Sequence, residues 1–509
     1  MSGRHVDAID GMTDAPDAAA AVDLAVRAAA AAGVERSSRA DRAGWLRALA
    51  AELELHRAEL VALAHDETHL SEARLAGEVV RTATQLRFFA GVIEEGSYLE
   101  ATLDSPDASL VPPRPDLRRM LRPIGPVAVF AASNFPFAFS VLGNDTASAL
   151  AAGCPVVVKV HPGHPRLSHR VAELARETLE AAGAPADAIV LVEGVEAGIA
   201  LVAHPLVSAV GFTGSTRGGR ALFDLACARP APIPFYGELG SLNPVVVTEA
   251  AAAADVDGIA AGLAGSFTRD GGQYCTKPGL VFVPDGAGFE DALCDALGMV
   301  GPQRLLTDGI GAAFADGAAR IVGLPEAELV WRGAVGAGAA GDPAAGDDGT
   351  ADAPATVVAT PAAALAADPD AWLQECFGPL TVLARYRDRA ELDTALGALE
   401  GSLTASIHHA PGEDVSGLVA TLDRTAGRLV FNGWPTGVAI GWAQHHGGGW
   451  PATTASVHTS VGATAIRRFL IPLAYQDAPA AVLPAELADA NPFGIPRRVD
   501  GALVPGHQS

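Results

Sequence analysis

Cysteine is scarce in this sequence, and its arrangement argues against two common uses of the residue. Five cysteines occur among 509 residues, at positions 154, 227, 275, 294 and 376. Their number is odd and their spacing irregular, with neither a CxxC pair nor a Cys/His metal-ligand pattern. We therefore expect no disulfide framework and no bound metal, and the reducing cytoplasm is the expected compartment.

Long apolar runs and clusters of basic residues are also missing. No stretch of roughly eighteen strongly apolar residues occurs, which argues against a membrane span. The amino terminus shows no basic region followed by a long apolar segment, so no secretory signal is expected. Lysine and arginine together number 35 against 59 acidic residues, a formal net charge of −24. Such an acidic surface repels nucleic acid and anionic membranes.

The remaining composition suits a large, well-buried core. Hydrophobic residues make up 49% of the chain and charged residues 18%, and the length allows two or three domains. Residues 17–65 and 68–96 carry apolar side chains at three- and four-residue steps, which predicts helices. The proline-rich stretch 101–118 predicts a connector or an extended arm.

From residue 121 onward, short apolar strands alternate with helices. Strands are predicted at residues 127–130, 156–160, 189–192 and 209–212, and a helix after the polar turn 133–136 is predicted to run to about 152. A second alternating segment begins at Pro244 and continues through residues 279–283 to about 431, with a flexible surface loop at 333–355. This alternation predicts parallel, doubly wound sheets, whose ligands bind beyond the carboxyl ends of the strands.

One segment, Arg269–Gly279, places Cys275 after a Gly-Gly turn and before a lysine and a proline. A reactive thiol needs access and surroundings that favour the thiolate, and glycines let the backbone approach a ligand closely. Backbone amides beside the thiol are suited to binding an oxyanion. Taken alone, however, the segment favours a small buried cysteine in a loop.

Two segments upstream have a similar double interpretation. Glu238 is a lone acid in the run Phe235–Pro244, and a carboxylate in apolar surroundings has a raised pKa that suits a general base. A helix-capping or surface glutamate is the alternative.

In the run Val210–Arg220, a strand enters a Gly-Ser turn that opens a helix, whose free amides suit a phosphate. In isolation an ordinary strand-to-helix turn is the better interpretation.

Together these three segments resemble the aldehyde dehydrogenase superfamily. Asn134 in Ala132–Pro136, Lys159 at the end of its strand and the run Gln374–Pro379 also match, in order and spacing, from about residue 20 to 475. The resemblance implies an α/β fold with a Rossmann-like cofactor domain, an α/β catalytic domain and a small oligomerisation arm. The expected divisions are the helical part of the cofactor domain (1–103), the arm (104–120), the dinucleotide-binding domain (121–239), the catalytic domain (240–432), and a C-terminal loop with an oligomerisation strand (433–509).

By this resemblance, Cys275 is the nucleophile that captures an aldehyde as a thiohemiacetal and, after hydride transfer, holds a thioester. The side-chain amide of Asn134 and the backbone amide of Cys275 would hold the oxyanion. Glu238 would activate the water that hydrolyses the thioester. Because the thiol does this work, no metal is required.

The resemblance also implies NADP or NAD as the cofactor. The expected contacts are Lys159 with the adenine ribose, Thr213, Gly214 and Ser215 with the pyrophosphate, Glu375 with the nicotinamide ribose and Phe377 with the nicotinamide. A structural role stays open for each, and for Phe377 in particular a purely packing role.

The cofactor preference depends on the residues after Lys159. NAD-preferring members usually have a glutamate three residues later, where this chain has Pro162. Nothing there repels a 2′-phosphate, and Lys159 with His161 or Arg166 could attract one, so we expect NADP to be accepted. His161 and Arg166 could equally be solvated surface groups.

The C-terminal part resembles one branch of the superfamily. The runs Phe431–Val438 and Gln444–Ser456 are similar to 2,5-dioxovalerate (α-ketoglutaric semialdehyde) dehydrogenases and to NADP-dependent long-chain aldehyde dehydrogenases. A carboxylated aldehyde needs a cation in its channel; Arg269 is the candidate, with a surface or structural role as the alternative. His445 and His446 either line the pocket or order the loop. Adjacent histidines rarely face one ion, so a metal is not expected.

Members of this kind are homodimers or homotetramers, so the expected partners are an aldehyde substrate and other copies of the chain. The arm near 104–120 and the strand near 465–476 would pair across subunits. Three alternatives stay open. The chain could be a fatty or general aldehyde dehydrogenase, an inactive cofactor-binding scaffold, or a thiol hydrolase. The last needs a histidine partner for Cys275, which no motif places.

Overall fold

The computed structural model describes residues 15–334 and 352–506, so the loop predicted at 333–355 lies almost wholly outside the described residues. The α-helices are α1 (Ala15–Ala31), α2 (Arg39–Leu55), α3 (Arg57–Thr68), α4 (Glu72–Glu95), α5 (Asn144–Ala152), α6 (Pro165–Ala181), α7 (Val195–Ala203), α8 (Thr216–Ala228), α9 (Glu249–Phe267), α10 (Phe289–Leu297), α11 (Asp308–Val322), α12 (Ala362–Ala367), α13 (Pro369–Trp372), α14 (Arg389–Leu396) and α15 (Ser416–Leu422). The strands are β1 (Thr102–Asp104), β2 (Leu117–Pro123), β3 (Val127–Phe130), β4 (Val156–Lys159), β5 (Ile189–Val192), β6 (Ala209–Thr213), β7 (Phe235–Glu238), β8 (Val245–Val247), β9 (Leu280–Pro284), β10 (Glu328–Arg332), β11 (Thr356–Pro361), β12 (Leu380–Tyr386), β13 (Ala405–His408), β14 (Leu429–Phe431), β15 (Leu470–Gln476), β16 (Arg497–Val499) and β17 (Ala502–Val504).

The predicted N-terminal helices are confirmed as α1 to α4. Ser38 begins α2 with a capping box, because its hydroxyl accepts from the Asp41 amide while the Asp41 carboxylate accepts from the Ser38 amide. Ser71 caps α4 with its hydroxyl alone, which accepts from the Arg74 amide, and Gly96 ends that helix in the left-handed region. Leucines on the inner faces of α2 and α4 are fully buried, so packing of apolar stripes holds these helices together.

The first sheet has the order β5-β4-β3-β6-β7, and all its pairings are parallel. This confirms the four predicted strands and their connection by helices. The helix predicted after the 133–136 turn is wrong at its beginning, since α5 starts only at Asn144. Residues 137–143 form tight turns instead and bury Phe137, Phe139 and Leu142, and Gly143 takes the position before the first helical residue.

The second sheet has the order β10-β11-β12-β9-β8-β13-β14 and is parallel except for the edge strand β10. Its central strands bury both faces, as in β8 and β9, where every residue is buried. Valine-rich runs without alternation are the expected sequence of such strands.

A third, smaller sheet has the order β15-β2-β1-β16-β17. The arm strand β2 pairs antiparallel with β15 of the same chain, with Met120 opposite Leu473. The two segments predicted to pair across subunits therefore pair with each other within the chain. Strand β15 lies at the edge of this third sheet. Among the helices that the structure describes, none has the length and apolar character needed to cross a bilayer.

Candidate active site

A crevice of about 1190 Å³ lies between the first two sheets. Its walls come from loops that follow β3, β4, β6 and β7 and from loops that precede β9 and β12. The carboxyl edge of one parallel sheet therefore faces the amino edge of the other, and loops at the carboxyl edge are where such sheets bind ligands. Most of the predicted site residues line it: Asn134, His161, Thr213, Gly214, Ser215, Cys275, Glu375 and Phe377.

Four predicted site residues are not part of this lining. Lys159 ends β4 and is half-buried, and burial lowers the pKa of its ammonium. Glu238 ends β7 and lies behind Cys275. Arg166 is exposed and engaged by two carboxylates, with its Nε 3.3 Å from Glu67 and its Nη2 against Asp66. Arg269 is also exposed, with its guanidinium carbon 5.7 Å from the Tyr274 ring centroid.

Cys275 sits in a turn that only glycines allow. A short 3₁₀ segment, Arg269–Gly272, ends with Gly272 at a φ of +66°, and a side-chain carbon there would lie 2.4 Å from the Gly378 carbonyl oxygen. The left-handed backbone and the close approach both require glycine. On the other side, Asn243 Nδ2 donates to the Cys275 carbonyl at 2.8 Å. The thiol is thus held from both directions on a rigid loop.

The thiol meets a histidine and a carboxylate behind the crevice. Cys275 Sγ lies 3.5 Å from His446 Nε2, and the same nitrogen lies 3.0 Å from Glu238 Oε1. Ser460 Oγ donates to the other Glu238 oxygen. His446 and Glu238 are buried, and the three ligand-type atoms lie within 4.8 Å of one another. Sulfur, nitrogen and oxygen donors at this spacing can exchange a proton, and they are also a set that could hold a zinc ion.

The charges of this cluster favour a thiol beside a carboxylate. Burial raises the pKa of Cys275 well above its usual value; the Glu238 charge adds to the rise, while Arg81 opposes it. Burial also raises the pKa of Glu238, but His446, Ser460 and Cys275 outweigh it, so that the pKa ends below the ordinary value. The raised Glu238 pKa expected from the sequence is therefore wrong, because its partners are polar. At neutral pH Glu238 is ionised and ready to accept a proton.

Hydrogen bonds to β7 hold the loop that carries His446. Thr454 N donates to Gly237 O at 3.0 Å and Leu239 N donates to Ala452 O at 2.8 Å, which extends β7 by a short antiparallel contact. His446 N in turn donates to Thr459 Oγ1 at 2.7 Å. The contact between Cys275 and His446 joins residues far apart in the chain. In the sequence, only the His-His pair before a glycine run signalled it, and its role stayed open.

Donors for an oxyanion lie beside the thiol. Asn134 Nδ2 donates one N–H to the Gln273 carbonyl at 2.9 Å, which fixes the amide and leaves its second N–H free for a ligand. Arg74 Nη2 donates to the Asn134 carbonyl at 2.6 Å and holds the same loop. The backbone N–H of Cys275 makes no hydrogen bond to any other residue in 15–334 or 352–506.

The far end of the crevice fits a dinucleotide. Strand β6 ends at Thr213, and Ser215 caps α8 by accepting from the Gly218 amide at 3.2 Å, so the first-turn amides of α8 open onto the crevice. Such amides suit a pyrophosphate. Glu375 lies across Gly240, where a side-chain carbon would come within 2.4 Å of Glu375 Oε2. Burial raises the pKa of the Glu375 carboxyl, which Lys277 partly opposes.

His161 lines the crevice as a neutral side chain. Its Nδ1 accepts from the Gly163 amide at 3.0 Å, so Nε2 carries the proton. Burial lowers the pKa of His161 to about 3, and His164 and Lys159 add to the effect. His161 therefore offers a hydrogen-bond donor but no positive charge.

Comparison with known proteins gives a consistent result. The profile of the Aldehyde dehydrogenase family matches residues 10–455. The chain is 44% identical over 470 residues to alpha-ketoglutaric semialdehyde dehydrogenase 2 of Azospirillum brasilense, covering 91% of this chain and 87% of the relative. It is 38% identical to alpha-ketoglutaric semialdehyde dehydrogenase of Acinetobacter baylyi, covering 95% and 91%. Among solved structures, an NADP-dependent enzyme of E. coli superposes with a TM-score of 0.74 at 25% identity, covering 90% of each chain.

Proposed function

The chain belongs to the aldehyde dehydrogenase family, and from that premise we propose that it oxidises 2,5-dioxovalerate to 2-oxoglutarate with NAD or NADP as hydride acceptor. The observation that carries the mechanism is the contact of Cys275 Sγ with a buried proton-accepting pair, His446 and Glu238. The two semialdehyde dehydrogenases named above support the choice of substrate. We also propose that the chain divides into a cofactor domain, an arm and a catalytic domain at the residue boundaries predicted from the sequence.

The first step is proton removal from the thiol. Because the pKa of Cys275 is raised, the resting sulfur is protonated and needs a base. The proton passes from Sγ to the His446–Glu238 pair as the sulfur forms a C–S bond with the aldehyde carbon. The carbonyl oxygen becomes an oxyanion, held by the free Asn134 amide N–H and the Cys275 backbone N–H.

Oxidation follows on the sulfur. Thr213, Gly214, Ser215 and Glu375 would hold the dinucleotide, which would supply the acceptor for the hydride that leaves the thiohemiacetal carbon. A thioester would then remain on Cys275. The same oxyanion donors then face the thioester carbonyl.

Hydrolysis returns the enzyme to its starting state. Glu238, again ionised, accepts a proton from water, and the hydroxide attacks the thioester carbon. The C–S bond breaks, the acid leaves and the thiol is protonated again. Glu238 can serve both steps because its pKa is held low by His446 and Ser460, so it is re-ionised after each transfer.

The choice between the two cofactors depends on fewer cations than the sequence suggests. Arg166 is paired with Asp66 and Glu67, and His161 is neutral, so of the three groups that the sequence suggested only Lys159 brings a charge toward a 2′-phosphate. We therefore propose that both cofactors are used. Arg166→Gln should leave the KM for NADP unchanged.

A second candidate function has one observation in its favour. The thiol hydrolase alternative needs a histidine partner for Cys275, and His446 Nε2 lies 3.5 Å from the Cys275 sulfur. The crevice of about 1190 Å³ that contains the same sulfur and the Thr213–Ser215 turn favours the dehydrogenase.

A spectrophotometric panel separates the candidates. The enzyme is mixed with 2,5-dioxovalerate, hexanal or pentanal and either NAD or NADP, and reduced cofactor is followed by absorbance. We expect formation with 2,5-dioxovalerate at a higher kcat/KM than with either uncharged aldehyde, and none from Cys275→Ala. Ester hydrolysis without any reduced cofactor would favour the hydrolase, and a higher kcat/KM with hexanal would favour a general aldehyde dehydrogenase.

A further inference from the structure

One face of α4 is turned toward the loops of the active site. Side chains at helical spacings of three and four residues share a face. Arg74 on this face contacts the Asn134 loop, and Glu78 Oε1 accepts from the Phe137 and Ala138 amides at 2.9 and 3.0 Å. Farther along, the Phe88 ring packs against Trp442 at 5.9 Å, in the loop that leads to His446. The intervening positions are Arg81 and Gln85.

Arg81 brings a half-buried guanidinium to this face, and the nearby charge of Glu78 acts on it without forming an ion pair. Its Nε is buried with no hydrogen-bond partner, and its side chain forms no ion pair or hydrogen bond with any residue that the structure describes. Its closest aromatic contact is the Phe135 ring, whose centroid lies 5.8 Å from the guanidinium carbon. A buried donor left without a partner is costly, and a ligand anion bonded to the guanidinium would relieve that cost.

The other arginines near the nucleophile are already engaged. Arg74 is 3.0 Å from Asp270 and donates to the Asn134 carbonyl. Arg428 donates to the carbonyls of Gly437 and Pro435 at 3.1 and 2.7 Å. Arg269, the candidate from the sequence, is exposed. Of these four arginines, Arg81 alone combines partial burial with a guanidinium that forms no hydrogen bond or ion pair with any residue in 15–334 or 352–506.

Aromatic contacts connect Arg81 to the reacting sulfur. The Phe135 ring beneath the guanidinium meets the Tyr274 ring edge-on at 5.4 Å. Phe135 follows Asn134 in the chain, and Tyr274 precedes Cys275. Burial lowers the pKa of Arg81, and the charges of Glu78, Cys275 and Glu238 oppose it, so Arg81 is within electrostatic range of the reacting groups. No residue of α4 lines the dinucleotide crevice, so Arg81 approaches the sulfur from outside it.

Gln85 lies one helical turn beyond Arg81. It is 1% exposed, and both its side-chain nitrogen and its side-chain oxygen lack a hydrogen-bond partner. A fully buried amide with two unused ends is uncommon in a folded protein and indicates a position that serves a ligand. Its N–H suits a carbonyl oxygen next to a carboxylate.

We propose that Arg81 binds the carboxylate of the substrate, with the Gln85 amide donating to the neighbouring 2-oxo group. The ligand class is a short aldehyde with a carboxylate at its opposite end. A guanidinium fork fits a carboxylate with two parallel hydrogen bonds. The inference rests on the proposed function, because it names the group that selects a carboxylated aldehyde over an uncharged one.

The kinetic test compares Arg81→Met, Arg81→Lys and the control Arg87→Met on 2,5-dioxovalerate and pentanal. Arg87 lies on the same helix but is exposed and paired with Glu54, at 2.5 Å. Arg81→Met should raise the KM for 2,5-dioxovalerate about tenfold to a hundredfold, lower kcat/KM far less for pentanal, and be partly rescued by Arg81→Lys. Arg87→Met should change neither substrate. An equal loss on both substrates, or no loss on either, overturns the proposal.

A binding measurement separates this inference from the proposed function. Cys275→Ala enzyme, with and without Arg81→Met, is titrated with 2-oxoglutarate by calorimetry. We expect binding that disappears with Arg81. If wild type prefers 2,5-dioxovalerate while 2-oxoglutarate binding survives Arg81→Met, the inference is overturned and the function stands. If wild type shows no preference but binding needs Arg81, the inference stands and the proposed substrate is wrong.

Discussion

At the scale of single residues, the proposed mechanism depends on three side chains. In it Cys275 provides the sulfur, and His446 and Glu238 together receive its proton, since His446 Nε2 lies between the other two groups. The Nδ1 of His446 is buried and has no partner in the part of the chain that the structure describes. The ring is therefore positioned through its backbone and through Nε2, and a substitution there should affect proton transfer directly.

His446→Gln should lower kcat about a hundredfold to ten-thousandfold, the usual contribution of a positioned proton acceptor. The KM for the cofactor should stay unchanged, because His446 does not line the dinucleotide crevice. Steady-state kinetics at saturating cofactor measure both values. His445→Gln is the matched control and should retain activity, since His445 is only half-buried and lies one position away. Equal losses in the two variants would mean that the loop, not the ring nitrogen, matters.

Sequence patterns predicted single residues well where a role depends on local backbone. Examples are the turn of glycines before Cys275 and the helix cap at Ser215, because a few consecutive residues determine a turn or a cap. The partner of Cys275 and the free cation were missed. His446 reaches the sulfur through a loop bonded to β7, and Arg81 lies half-buried on a helix that packs against the active-site loops, whereas Arg269 is exposed. Neither property is visible in a short segment.

At the scale of elements, the turn before Cys275 depends on Gly272. Gly272→Ala should lower the free energy of unfolding by about 1–3 kcal/mol, because φ is in the left-handed region and the added carbon meets the Gly378 carbonyl oxygen. Activity should fall as well, since the loop carrying the thiol must move. Thermal unfolding and kcat are the measurements.

Gly265→Ala is the control for that substitution. Gly265 lies in α9 and is exposed, and a side-chain carbon there would meet nothing within 4 Å. Alanine should therefore stabilise the helix, by about 0.5–1 kcal/mol. A Gly272→Ala enzyme as stable and active as Gly265→Ala would contradict this account of the turn.

The elements that were predicted least well are those set by tertiary packing. Strands β3 to β6 follow from apolar runs between turns, whereas α5 begins later than its sequence suggests. The apolar residues Phe137 and Phe139 fit the pattern of a buried helix face, but in the structure they lie in turns and pack into the core beneath the active-site loop. The hairpin of β16 and β17 was not predicted because β17 is exposed throughout and carries no pattern.

At the scale of the whole molecule, buried histidines should make the fold sensitive to acid. Burial lowers the pKa of His408 to about 4 and that of His161 to about 3. Unfolded histidine takes up a proton near pH 6.5, so between about pH 6.5 and pH 4 the unfolded chain binds more protons than the folded one. Stability is therefore complete above that window and is lost as the pH falls through it.

His408→Phe tests this origin of the acid sensitivity. His408 packs against Trp434 at 4.6 Å and its buried Nε2 has no partner among the described residues, so an apolar ring should fit. The variant should match wild type in urea unfolding at pH 8. It should recover on the order of 2 kcal/mol of the stability lost by pH 5. An unchanged loss at pH 5 would mean that other groups cause it.

Self-association should follow from the third sheet. Strand β15 is an edge strand that pairs only with β2, and Leu473 on it is 37% exposed. We propose a homodimer or homotetramer built through this edge, since an exposed edge strand invites pairing. Leu473→Lys should lower the molar mass measured by light scattering. Leu55→Lys, on an exposed position of α2, should not, and equal masses for all three proteins would contradict the proposal.

The most direct test of the mechanism is a single-turnover experiment on Glu238→Gln. The variant is mixed with 2,5-dioxovalerate and cofactor, reduced cofactor is followed by stopped flow, and the protein is analysed by intact and peptide mass spectrometry. We expect a burst of about one reduced cofactor per site, slower than in wild type because His446 alone then receives the thiol proton, followed by near-arrest with the acyl group on Cys275. A variant that turns over at the wild-type rate, or a burst with no adduct on Cys275, would contradict it.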